Sequence, residues 1–386
     1  MRDALTLLAG VLRESYRLAL GQTDAGNGIP RRTAAVTSAW LSAALQADYP
    51  GVRVGSVASL GGHAGTTDRA RIAVDYADAG DGAPPPSTLF IKTSPADAKT
   101  QLFVNLMRLG ANELGFYRQI APHVPIECPR AFHAAGPAGA QRFVLVLEDL
   151  ATRGARFLDA AGSVTLDEAR AVVCMLGRLH ARFWNSPRLR TDLAWLRAPD
   201  RNPLAAVERA LCALAVRPVL RRADGVVPPA LRAAAGRIVA ARPRLEDAWG
   251  RGPQTLLHGD AHVGNMYLLP DAVGLLDWQV VQSGQGMRDV TYFLATSVPT
   301  AVRRAHERAL IGAYLATLRT QGVDAPAADE AWAQYRLHAL YAWIATLVTT
   351  AAATLQADHI ARAGLARASA AVTDLESVAA LEGLRF

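Results

Sequence analysis

The feature that most restricts the fold is where the chain changes its period. Val52 to Leu60 and Arg69 to Tyr76 alternate apolar with small or polar residues, as half-buried strands do. A Gly/Asp/Pro-rich loop from Asp78 to Pro86 leads into Ser87 to Lys92, a third short strand, and Arg142 to Leu147 is an apolar run of buried-strand type that stops at Glu148. Beyond Glu148 the period is helical through about Asp247, broken at Pro187, Pro203 and Pro228-Pro229. A strand pattern returns once, in Asn265 to Leu269 and Val273 to Asp277, joined by Pro270-Asp271-Ala272 as a hairpin. Helices resume from about Asp289.

Sheet before Glu148 and helix after it implies an α+β fold: a small antiparallel sheet in an amino-terminal part, residues 1–149, and a larger, mostly helical carboxyl-terminal part, residues 150–386. At 386 residues the chain exceeds what one hydrophobic core usually serves, which favours two lobes with a cleft between them. Helical stretches are expected at Asp3 to Leu20 and Thr37 to Tyr49, separated by Gly26 to Pro30, and again at Leu106 to Ile120.

Several classes of function fall away. With 51% hydrophobic and 19% charged residues the chain is globular rather than largely disordered. Cys128, Cys174 and Cys212 are too few for a disulfide framework and lack zinc-site spacing, so they are expected as buried thiols. The amino terminus carries an acid early and reaches no signal-like cleavage sequence, which points to the cytoplasm. Ala339 to Leu355 has no charged residue, yet its four threonines and many alanines suit a buried helix rather than a membrane span. The net charge of +7 comes from scattered arginines without aromatic interleaving, so no nucleic-acid partner is expected.

Inside that basic count lies a sharper signal, because Lys92 and Lys99 are the only lysines in the chain. A sequence that keeps a lysine where arginine is the habit needs a compact ammonium there.

The strongest cluster of chemistry-bearing residues is His258-Gly259-Asp260-Ala261-His262-Val263-Gly264-Asn265, followed by Asp277-Trp278-Gln279. Taken singly, Asp260 is a turn cap, Asn265 a turn residue and Asp277 a strand-end acid. Taken together they suit phosphoryl transfer: one carboxylate orients an attacking hydroxyl and accepts its proton, while an amide oxygen and a second carboxylate hold Mg²⁺ against a triphosphate. Asp260 fits the first role. Asn265 and Asp277 fit the second, because Mg²⁺ prefers oxygen ligands and a hairpin brings its two ends together. His258 and His262 have no third zinc-type ligand nearby and are expected to make structural hydrogen bonds.

These residues resemble the protein-kinase-like superfamily, and within it the aminoglycoside phosphotransferase and choline kinase branch. The His-Gly-Asp-x-His-x-Gly-Asn block, Leu275-Leu276-Asp277-Trp278-Gln279 and Gly286 to Leu294 carry the likeness, and the Asp-Trp-Gln variant is similar to the ecdysteroid-kinase-like subgroup. The resemblance implies a bilobal fold and an ATP- and Mg²⁺-dependent transferase that phosphorylates a hydroxyl of a small molecule. It implies that Lys92 on the third strand holds the nucleotide phosphates and that Glu113 in the next helix pairs with it. Gly62, Gly65 and Thr66, in the stretch before the second strand, are the expected phosphate cover, although the stretch departs from Gly-x-Gly-x-x-Gly. Glu148 and Leu150 are the expected backbone contacts to the base. Asp289 is expected to brace the catalytic loop, and His180 to be a packing position.

For the acceptor, Ala151 to Gly250 is rich in arginine and poor in acids, which disfavours polycationic amino sugars. With Trp184, Trp195, Tyr341 and Trp343 on helices facing the cleft, a neutral or apolar alcohol is expected. A protein acceptor is disfavoured by the lack of an activation segment ending in Ala-Pro-Glu. A non-catalytic nucleotide-binding module is the rival of a different class.

Overall fold

The computed structural model describes residues 2–21, 28–137, 142–159, 162, 164–223, 225–351 and 357–384. The chain forms two compact units, one of Leu8–His123 with Cys128–Arg156, the other of Met1–Leu7, Val124–Glu127 and Phe157–Phe386.

The first unit is built on a five-stranded antiparallel sheet of β1 (Arg53–Ala64), β2 (Asp68–Asp78), β3 (Thr88–Thr93), β4 (Ala131–Ala135) and β5 (Val144–Glu148), in the order β1-β2-β3-β5-β4. The three strands expected in series are present. β4 was not legible, because Ala-Phe-His-Ala-Ala has little strand propensity of its own and takes its structure from pairing with β5. One face of the sheet carries Val54, Ile72, Val74, Leu89, Ile91, Val144 and Val146, packed against Leu41 and Leu45. Each such side chain fully withdrawn from water contributes about 1.5–3 kcal/mol. Strand period puts Lys92 on the face opposite Ile91.

Leu41 and Leu45 lie on the Ser38–Leu45 helix, which Thr37 caps by accepting from the Trp40 N–H at 3.2 Å. This helix ends before the expected Tyr49, since Pro50 disfavours helical backbone in the residue preceding it. The expected Leu106 to Ile120 helix is interrupted as well. Arg108 adopts φ 59°, separating Ala98–Leu106 from Leu109–Gly115, and Phe116–Ile120 continues as a π-helical turn.

The second unit is mostly helical. Its Leu166–Phe183 helix starts with a reciprocal capping box between Thr165 and Glu168 and packs on Thr300–Thr320. Ala328–Ala351 packs against Met287–Thr296 and Asp358–Asp374, and contains most of the uncharged run from Ala339, with Trp343 and Leu347 fully buried. Residues 352–355 of that run lie outside the described residues. Among the described residues no helix is long and apolar enough to cross a membrane.

The expected hairpin is present as Met266–Leu268 paired with Val273–Leu275, closed by Leu269 N–H donating to Ala272 O at 2.9 Å. A second antiparallel pair, Thr255–Leu257 with Gln282–Gly284, holds the segments on either side of it. Two short ladders thus fix both ends of the chain stretch that carries Asp260, Asn265 and Asp277.

Candidate active site

The turn after Thr255–Leu257 is organised by a buried carboxylate. Asp289, near the start of the Met287–Thr296 helix, accepts from the backbone N–H groups of His258 at 2.7 Å and Gly259 at 3.0 Å. Burial alone would raise its pKa, but His180 and the Gly259 N–H outweigh that and hold the carboxyl below its ordinary value. His180 Nε2 lies 3.4 Å from Asp289, and its Nδ1 is 3.0 Å from the Tyr314 hydroxyl. Gly259 has φ +85°, and a side chain there would collide with the Val280 carbonyl oxygen, so the turn requires glycine.

His258 points inward and ties the turn to the hairpin. Its Nε2 is 3.0 Å from Leu276 O, an acceptor, and its Nδ1 is 3.3 Å from Asp260 N, a donor, which assigns the neutral tautomer protonated on Nε2. Burial pushes its pKa down despite the nearby charges of Asp289, Asp260 and Asp277. The expected structural role of His258 is what the geometry shows. His262 accepts from Gly264 N–H at 3.0 Å through Nδ1 and places Nε2 3.6 Å from the Asp260 carboxylate.

Asp260 itself is about one-third exposed, at 32% of its side chain. Asn265 Nδ2 donates to its backbone carbonyl at 3.0 Å and to its carboxylate at 3.2 Å. That orientation leaves Asn265 Oδ1 uncommitted among the described residues. Leu276 N–H donates to Asn265 O at 3.0 Å, so the residue that precedes Asp277 is hydrogen-bonded to Asn265. Asp277 adopts left-handed backbone, φ 66° and ψ 67°, which is uncommon for a non-glycine residue and is associated with functional positions. An amide oxygen and a carboxylate on segments joined in this way are of the type that suits Mg²⁺, which is commonly held by one or two carboxylates alongside phosphate oxygens. Among the described residues no group of three or more His, Cys, Asp or Glu side chains gathers in a metal-binding arrangement.

The Met287–Thr296 helix also offers two residues at i, i+4 spacing, Arg288 and Tyr292, that single-sequence reading did not separate from the motif around them. Burial, the charge of Asp260, Tyr341 and a hydrogen bond to Asp260 keep the Tyr292 hydroxyl protonated well above its ordinary range. The Tyr341 hydroxyl donates to Gly259 O at 3.2 Å, and the Arg288 guanidinium carbon lies 3.8 Å from the centre of the Tyr341 ring. The four aromatics expected to line one pocket do not share an environment. Trp343 is fully buried with its indole donating to Ser369 at 3.1 Å, and Trp195 lies in a turn rather than a helix.

In the first unit, Lys92 Nζ is 2.7 Å from Glu113 Oε1, with the two side chains 3% and 1% exposed. The β1–β2 turn is tighter than the sequence suggested, because β1 continues through Ala64 and Gly62 pairs with Ala70. A side chain at Gly62 would press on the Arg69 carbonyl oxygen. Gly65 N–H donates to Thr67 O at 2.9 Å, so it is not free to cradle a phosphate, and Thr66 stands half-buried at the tip. At the end of β5, Glu148 N–H donates to Arg130 O at 2.8 Å and its carboxylate accepts from Arg130 N–H at 3.2 Å. Leu150 opens a short 3₁₀ turn capped by Asp149, which also accepts from Arg71 at 2.8 and 3.0 Å.

The arrangement can be compared with known proteins. The family described as the phosphotransferase enzyme family matches residues 90–338, more than half of the 386 residues. The chain belongs to this phosphotransferase family. That span takes in Lys92 and most of β3, Glu113, the turn that carries Asp260, and the hairpin. A Ralstonia eutropha protein assigned provisionally as an aminoglycoside phosphotransferase is 13% identical, with a TM-score of 0.52 over 88% of this chain and 97% of its own. Macrolide 2'-phosphotransferase from Brachybacterium faecium is 17% identical, with a TM-score of 0.44 over 85% of this chain and 97% of its own. Choline kinase from Streptococcus pneumoniae is 15% identical, with a TM-score of 0.46 over 84% and 94%. At such identities the first comparison bears on the fold, which is the α+β, protein-kinase-like one expected from the sequence. No curated protein gives a significant match to this phosphotransferase. The match is to the phosphotransferase family, and the ecdysteroid-kinase-like subgroup that Asp277-Trp278-Gln279 resembles is not confirmed by it.

Proposed function

We propose that this phosphotransferase moves the terminal phosphoryl group of ATP, with Mg²⁺, onto a hydroxyl of a small molecule, and that Asp260 is its catalytic base. The observation that carries the reading is the state of Asp260: a carboxylate 32% exposed, on a turn braced by Asp289 and oriented by the Asn265 amide. In the proposed step the acceptor O–H bond breaks as its oxygen bonds to the terminal phosphorus, the proton passes to an Asp260 oxygen, and the bond to the departing diphosphate breaks. Asn265 Nδ2 keeps the carboxylate aimed while leaving it exposed enough to meet the acceptor. Asn265 Oδ1 and Asp277 are the proposed Mg²⁺ ligands. The ion, when bound, neutralises phosphate charge.

Lys92, aimed by Glu113, is the proposed partner of the nucleotide phosphates, with the Thr66 hydroxyl as the proposed cover at the β1–β2 tip, while Gly62, paired with Ala70, and Gly65, whose N–H is taken by Thr67 O, shape the turn. Because the Glu148 N–H is already engaged with Arg130 O, Leu150 is the better donor to the base.

The test is an alcohol panel incubated with purified protein, ATP and Mg²⁺, read by mass detection of a phosphate adduct. Nucleotide binding without an adduct from any alcohol would favour a non-catalytic binding module.

A further inference from the structure

Beside the catalytic turn lies a small recess of about 20 Å³, enough for one compact polar group. Arg197, Arg242, Trp249, Gln282 and Arg288 line it. It abuts the turn directly: Tyr341, beneath Arg288, donates to Gly259 O, and a methyl group at Gly259 would meet Gln282 Nε2 at 2.6 Å.

The charges of the recess do not cancel. Glu208 is held by Arg197 at 2.5 Å and by Asn202 at 2.9 Å, while Glu246 is held by Arg242 at 2.9 Å and by Arg209 at 2.8 Å. Arg288 has no carboxylate partner and no hydrogen-bond acceptor among the described residues; it rests on the Tyr341 ring. A ring beneath a guanidinium leaves its in-plane N–H groups available. Two further buried donors on the recess, Trp249 Nε1 and Arg197 Nε, are also without an acceptor among the described residues. Unmatched buried donors cost stability unless an acceptor reaches them. Three of them around one recess call for a flat anion with two oxygens.

We propose, on the footing of the phosphotransferase reading above, that the acceptor is a hydroxy acid whose carboxylate docks on Arg288 beside Trp249 and thereby presents its hydroxyl to Asp260. A planar carboxylate matches the guanidinium fork and the size of the recess. Arg288 is then a specificity-determining residue, and the acceptor is narrowed from the neutral alcohol that the sequence suggests to an anionic one.

Glycerate, 4-(hydroxymethyl)benzoate and 12-hydroxystearate, each beside its methyl ester, test this with the full-length protein, ATP and Mg²⁺. Phosphate adducts are measured by mass and binding by calorimetry, for the wild type, Arg288→Gln and Arg288→Lys, with thermal melts confirming that each variant is folded. Because hydrogen bonds to charged groups contribute about 1.5–3 kcal/mol, at least one acid should exceed its ester about ten-fold or more in kcat/KM or affinity. Arg288→Gln should collapse that ratio, and Arg288→Lys should keep part of it. Acid-to-ester ratios near one in both readouts, or a preference for acids that Arg288→Gln leaves intact, would overturn the proposal. Phosphorylation of esters would leave the phosphotransferase reading standing on its own, whereas acid binding lost in Arg288→Gln without any adduct would support the anion site and count against catalysis.

Discussion

The Asn265 side-chain amide donates to both the backbone carbonyl and the carboxylate of Asp260, at 3.0 and 3.2 Å. One amide nitrogen therefore fixes where the proposed base points, and the same side chain's oxygen is left for a cation. The proposed base and the proposed metal ligand are thus coupled through a single residue.

Asn265→Asp removes the donor and sets a second negative charge against Asp260. Phosphoryl transfer should fall by about 10²-fold or more, the scale of a misplaced general base, while thermal stability changes little. Transfer rates and melting curves on the same preparation check this. An Asn265→Asp protein with full activity would separate Asn265 from the base.

Removing either member of the Lys92–Glu113 pair strands a buried charge. Lys92→Met or Glu113→Leu should each lose about 3–5 kcal/mol of stability, and the double variant should recover much of that because no unpaired charge remains. Urea unfolding of the three variants measures the coupling. The double variant should still be inactive, since the proposed partner of the nucleotide phosphates is gone.

Two buried histidines set a pH dependence. Burial lowers the pKa of His258, and burial together with Arg288 lowers that of His338 further. In the unfolded chain both would titrate near the ordinary histidine value of about 6.5. The unfolded state then binds more protons than the folded state below that pH, so the stabilisation is complete above about 6.5 and is lost as pH falls toward the folded pKa values. Melting temperature should drop between about pH 7 and pH 5, and the slope should flatten in His338→Gln.

Much of this was legible because chemistry and fold made the same demands on the sequence. Lys92 stood out as a rare lysine at the end of an alternating strand, and the structure buries it against Glu113. The hairpin between Asn265 and Asp277 was readable from its two short apolar runs and the Pro270-Asp271-Ala272 turn, and the structure pairs Met266–Leu268 with Val273–Leu275. What escaped was set by tertiary contacts. β4 borrows its strand character from β5, and the break at Arg108 reflects a left-handed backbone that periodicity cannot register. The β1–β2 turn looked like an open glycine loop because glycines permit both loops and close strand approach, and at Gly62 it is the second that applies. Arg288 and Tyr292 were hidden within a helical motif whose most visible member, Asp289, faces the loop instead. Of the aromatics expected to face a cleft, Trp343 lies in the core and Trp184, Trp195 and Tyr341 are half-buried, as helical spacing alone cannot decide which way a ring faces.

The most direct test of the central claim is ATP-dependent transfer of phosphate to an alcohol by the wild type and by Asp260→Asn, measured side by side with nucleotide binding. Transfer by the wild type, abolished in Asp260→Asn while nucleotide still binds, is the outcome expected of a catalytic base on a braced turn. Undiminished transfer by Asp260→Asn would contradict it.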